Sequence, residues 1–278
     1  MHDSLRIGAV NYLNSKPLIY EFEELAAEAD LVLDVPSRLA SDLAEGKLDV
    51  ALVPVVEYFR HPGWSIVPDI AVASQGPVLS VTLFSRQPWP AIRRVALDEG
   101  SRTSAALTKI LLQMRHQVRP EYIPLPLDSQ AESVEADAVL LIGDRAMRAC
   151  LPGFTYAYDL GQEWHDWTGL PFVYAFWAVR EGVDLGDIEP AFQEAKRRGL
   201  QNVGRIAQRE APLLGLDAGF CRRYLSNIIR FDLGPREREG LLHYCRLACD
   251  LDLARPGVEL AFYGETESQD ACQMQTAH

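Results

Sequence analysis

The sequence predicts an α/β protein of two lobes, from three observations. Short apolar strands alternate with helical segments through the first third of the chain. A second alternation starts after the turn Arg86-Gln87-Pro88-Trp89-Pro90, and an aromatic strand, Phe172–Val179, returns before a mostly helical remainder. Strands and helices at this spacing build parallel sheets. The expected lobes are residues 1–86 with 176–278, and residues 87–175, with a cleft between them. Lobes so joined can close on a ligand about a hinge.

Leu5–Val10 is apolar and reads as a strand, and Leu18–Glu28, rich in Glu and Ala, as a helix. Leu31–Val35 follows as a strand, Ser37–Leu43 as a helix stopped by Gly46, and Asp49–Val53 as a third strand closed by Pro54. Ile66–Ser74 and Val78–Ser85 are strand-like runs parted by Gln75-Gly76-Pro77, a turn signal. Further on, Arg94–Leu97 precedes a helix over Ser101–His116, whose Leu107, Ile110, Leu111 and Met114 share one face. Tyr122–Pro126 reads as extended, and Ala138–Ile142 as a buried strand ending at Gly143-Asp144. Helices over Ile188–Ile206, Ala218–Ile229 and Pro235–Leu251 complete the body, and a polar tail follows Gly264.

With 278 residues, 48% of them hydrophobic, the chain can bury a sizeable core. A net charge of −12 disfavours nucleic acid or an acidic membrane as partner, though a few amides can still hold a small anion. The five cysteines form no CxxC pair, which fits reduced thiols in a cytosol. Cys245 and Cys249 are four apart on a helix with no further ligand nearby, so packing explains them better than a metal. The start, Met1-His2-Asp3-Ser4-Leu5-Arg6, has no basic segment leading into an apolar one, and no run has the length of a membrane span. A cytoplasmic protein is the expectation; the oligomeric state stays open.

Four loops at strand ends carry the polar residues. In Asn11–Ser15, two asparagines and a serine crowd one turn before Pro17. Asn14 or Ser15 could simply cap a helix, or the loop could hold a polar ligand; ligands of open α/β sheets lie at such strand ends. Pro54-Val55-Val56-Glu57 and Gly76-Pro77-Val78-Leu79-Ser80 are the next two; Glu57 reads as a half-exposed helix position. The fourth, Gly100-Ser101-Arg102-Thr103-Ser104, opens a helix, where hydroxyls and free amides meet the positive end of the helix dipole. A plain Ser/Thr cap and an anion site both satisfy it. Asp144 and Arg145 follow a strand and could face the cleft. Trp164, Trp167 and Trp177 suit core or hinge packing. No GxSxG, GxGxxG, Walker or HExxH sequence occurs and the six histidines are scattered, so nothing indicates a nucleophile elbow, dinucleotide, P-loop or metal.

Taken in order, these stretches resemble the chorismate dehydratase family of the futalosine route to menaquinone. The matching pieces are Arg6-Ile7-Gly8 with Tyr12-Leu13-Asn14-Ser15-Lys16-Pro17-Leu18; Gly46 to Pro54; Pro68 to Val72 with Gly76 to Ser80; Ser101 to Ser104; Leu141 to Asp144; and Trp167 to Val173. The resemblance implies a type II periplasmic-binding-protein-like fold. It also implies loss of water from chorismate to give 3-[(1-carboxyvinyl)oxy]benzoate, with no cofactor and with the substrate's own enolpyruvyl carboxylate as base. It carries over Asn14 as the residue essential for turnover and Ser80 as a substrate contact. Asn11, Ser15, Pro54, Ser101, Arg102, Thr103, Ser104, Gly143 and Asp144 are the other expected substrate-binding residues. A non-catalytic anion binder of the same fold and the related 1,4-dihydroxy-6-naphthoate synthase are the competing readings.

Overall fold

The computed structural model describes residues 4–265. Strand β1 (Leu5–Val10) pairs in parallel with both β2 (Ala29–Asp34) and β3 (Val50–Pro54). Every residue of β3 is buried, as an apolar run without alternation requires. Two short strands, β4 (Ser65–Ile66) and β5 (Val72–Ser74), replace the single run expected over 66–74. The break contains Asp69, whose φ of 59° no regular strand accepts.

The chain then leaves for a second sheet: β6 (Val81–Ser85), β7 (Arg94–Asp98), β8 (Glu121–Leu125), β9 (Ala138–Ile142) and β10 (Tyr156–Asp159). It returns as β11 (Phe172–Val179), antiparallel to β3, and ends the sheets with β12 (Ile229–Arg230) against β5. The first sheet is seven-stranded, ordered β12-β5-β11-β3-β1-β2 with β4 on β11; the second is five-stranded, ordered β10-β6-β9-β7-β8.

These sheets divide the chain at different points from the expected lobe limits. β6 belongs to the second sheet, and the whole of β11, Phe172 included, to the first. The proline turn at 86–90 links β6 and β7 within one lobe, so the crossings lie at 75–80 and 160–171.

Three helical expectations change for tertiary reasons. Leu18–Glu28 is a tight 3₁₀ turn, Leu13–Ile19, followed by one short helix, Phe22–Leu25. The helix Glu189–Gln201 lies so close that a side chain at Gly199 would collide with the Pro17 carbonyl. The expected Ile188–Ile206 helix is interrupted at Asn202 before Val203–Leu214. Ala218–Ile229 is α-helical only to Arg223, then widens into a π turn, Tyr224–Ile228. The strand Tyr156–Asp159 and the helix Leu160–Thr168 were not foreseen. Of the polar tail expected after Gly264, the part from residue 266 lies outside the described residues.

One apolar core runs through both lobes, with Trp164 and Trp177 fully buried in it. No helix among the described residues is long and apolar enough to cross a membrane.

Candidate functional site

Where the carboxyl ends of β1 and β3 face those of β7 and β9, the lobes leave a cleft of about 490 Å³, its open mouth included. Val10, Leu52, Val72, Val78, Val81 and Ile142 make its walls apolar, and Tyr12 and Tyr174 add rings. Its polar edge carries Asn14, Ser15, Ser80, Ser101 and Ser104, with Pro54 and Gly143 supplying backbone. Among the described residues, those lining the cleft bear no charged side chain.

The asparagine loop is fixed from the opposite lobe. The Leu13 N–H donates to the Asp144 carboxylate at 3.0 Å, and the Tyr12 ring presses on Gly143. A Cβ at Gly143 would stand 2.9 Å from that ring, and its φ of 59° also favours glycine. With the loop held, the Asn14 side chain accepts from the Ser15 hydroxyl at 3.2 Å and faces the cleft. Burial raises the Asp144 pKa despite the Leu13 N–H. Burial also keeps the phenols of Tyr12 and Tyr174 protonated far above neutral pH, helped by Asp98 and Asp144 for Tyr12 and by Asp159 for Tyr174.

The Gly76–Ser80 loop is knitted by one carboxylate. Asp159 accepts from Val78 N–H at 3.0 Å and Leu79 N–H at 2.7 Å, while capping its own helix through Gly161 and Gln162. Leu79 takes a φ of 62° inside this clamp, which is strained for a branched side chain. Ser80 follows at once, so Asp159 sets where its hydroxyl sits. Behind Ser80 the buried Tyr224 donates its hydroxyl to Ser80 Oγ at 2.8 Å.

At the third edge, Ser101 accepts from the Ser104 N–H at 3.3 Å and caps the helix Arg102–Ile110. The two hydroxyls lie 3.0 Å apart and both line the cleft. The cap and the ligand-facing hydroxyls therefore coexist at one helix start.

Four expected contacts take other roles. Arg102 turns to the first lobe, where its guanidinium meets Glu57 at 2.8 Å and Ser41 at 2.8 Å. Glu57 is 1% exposed rather than half-exposed and also binds Arg60 at 2.7 Å. Thr103 is fully buried; its hydroxyl accepts from Val56 N–H at 3.1 Å. Asp144 stands behind the cleft, anchoring Leu13, and Arg145 reaches Asp98 at 3.7 Å. Asn11 is exposed and held by Lys16 at 2.6 Å. Tyr12, Asp159, Tyr174 and Tyr224 escaped the sequence reading. For Asp159 the available signal was a strand end followed by a helix.

Two sheets crossed twice by the chain, with a polar-edged cleft between them, define a periplasmic-binding-protein-like fold. Solved structures agree: protein AF1704 from Archaeoglobus fulgidus has a TM-score of 0.70 at 16% identity, covering 91% of this chain and 100% of that one. The alkanesulfonate-binding protein SsuA from Xanthomonas axonopodis, bound to MOPS, has a TM-score of 0.62 at 16% identity, covering 91% and 94%. The chain belongs to the menaquinone biosynthesis family, whose model matches residues 5–250. It is 36% identical over 255 residues to the chorismate dehydratase of Thermus thermophilus, covering 84% of this chain and 92% of that one. The chorismate dehydratase of Campylobacter jejuni is 26% identical over 254 residues, covering 89% and 99%.

Proposed function

We propose that this protein is a chorismate dehydratase of menaquinone biosynthesis, removing water from chorismate to give 3-[(1-carboxyvinyl)oxy]benzoate. The carrying observation is a cleft whose lining, among the described residues, offers hydrogen-bond donors and no charged base. Its two phenols are held protonated, and Asp144 and Asp159 are turned to backbone N–H groups. The proton to be lost sits at C3 of chorismate, acidified through the ring double bond by the C1 carboxylate. Its removal leaves a delocalised anion that expels the C4 hydroxyl, and aromatisation drives the step. The base in this reading is the substrate's own enolpyruvyl carboxylate.

The protein's share is orientation and electrostatic support. Asn14 and Ser80 hold the reacting side of the ring. Ser101 and Ser104, at the positive end of the helix Arg102–Ile110, hold a substrate carboxylate. Apolar walls strengthen these bonds by keeping the local dielectric low. Chorismate is the only partner in this reading, and the cytoplasm is the proposed setting.

The test is to incubate purified protein with chorismate. The expected outcome is loss of the cyclohexadiene absorbance and a product lighter by one water on mass spectrometry. A protein that binds chorismate and leaves it intact would be a binding module instead.

A further inference from the structure

One buried group from a remote part of the chain stands behind Ser80. The Tyr224 hydroxyl donates to Ser80 Oγ at 2.8 Å. Tyr224 is 1% exposed and does not itself line the cleft. Its ring is stacked on Phe220 at 6.4 Å, and it starts the π turn that leads into β12, whose pairing with β5 fixes this corner of the fold.

A phenol has one proton. With that proton committed to Ser80, the serine oxygen is held as an acceptor on its buried side. Ser80, accepting from Tyr224, keeps its own proton free to donate into the cleft it lines. The two hydroxyls thus point one way, from Tyr224 to Ser80 and on toward the cleft, and such bonds polarise one another in a dry site. Burial reinforces the direction by holding the phenol protonated.

We propose that Tyr224 is a positioning residue for the dehydration. It fixes Ser80 as a hydrogen-bond donor toward a substrate oxygen. The inference rests on the dehydratase reading above. Without the phenol, the Ser80 hydroxyl can rotate, so the ground state still forms but the transition state loses an aligned donor.

Tyr224→Phe keeps the ring and removes only the hydroxyl. The expected result is a kcat lower by roughly 10- to 100-fold, less than the outright loss of a preorganised donor because the Ser80 hydroxyl remains, with KM within about threefold. Because Tyr224 acts through Ser80, adding Tyr224→Phe to Ser80→Ala should cost little beyond Ser80→Ala alone. Wild-type kcat in Tyr224→Phe, or losses that multiply in the double variant, overturns the inference. Should Tyr224→Phe not fold, 3,5-difluorotyrosine at position 224 keeps a hydroxyl and makes it more acidic; kcat should then change, and an unchanged kcat overturns the inference. Wild-type protein that fails to consume chorismate sinks the dehydratase reading, whereas a fully active Tyr224→Phe sinks this inference alone.

Discussion

At one edge of the cleft, Asn14 and Ser80 line the opening from different loops, and Tyr224 backs Ser80 from 144 positions away. At the other edge, Ser101 and Ser104 lie within one helical turn and bond to each other. The first edge exists only when both lobes and the C-terminal segment are assembled. The second needs only a helix start. This difference predicts different chemistry: an edge held rigidly by distant elements suits transition-state alignment, while a local cap suits binding charge in ground state and transition state alike.

Asn14→Ala should show the largest effect, a fall in kcat of about 100-fold or more, near 3 kcal/mol, with a modest change in KM. Steady-state kinetics on chorismate checks it, and near-normal turnover would remove the distinction between the edges. Ser101→Ala should act in the opposite sense: KM rises while kcat stays within a few-fold. Loss of the cap lowers stability by about 1 kcal/mol, read from thermal unfolding. A kcat effect as large as that of Asn14→Ala would show both edges working on the transition state.

The smallest effect concerns the brace behind the first edge. Burial raises the Asp144 pKa above its ordinary 3.8, so the folded state holds this proton more tightly than the unfolded chain. The stability linked to that proton is present below pH 3.8 and is lost as pH rises through the raised folded value. Asp144→Asn mimics the protonated form. It should match wild type in strong acid and gain in melting temperature relative to it as pH rises toward neutrality. A difference independent of pH would show that burial does not govern this carboxyl.

The same contrast explains what was legible in the sequence. Ala138–Ile142 and Phe172–Val179 were readable as strands because apolar runs bounded by turn residues leave little choice. The alternating first third correctly indicated a parallel sheet. Leu18–Glu28 was misread because its conformation is set by a helix some 180 positions later, seated on the Pro17 carbonyl at Gly199. In the site, Asn14, Ser15, Ser80, Ser101 and Ser104 could be found as polar residues at strand ends. Arg102 and Thr103 could not be sorted from their neighbours without the helix. Residues three apart share a face, so Ser101 and Ser104 meet the cleft while the two between them turn to the other lobe. Tyr224 had no local signal at all, since its partners lie in other segments of the chain.

The hydrogen bonds from Leu13 to Asp144 and from Val56 to Thr103, with the Arg102–Glu57 ion pair, all join one lobe to the other. Any swing of one lobe against the other must therefore strain these fastenings together. Were such a swing to gate entry, the rate of entry would level off at high solute concentration instead of climbing without bound.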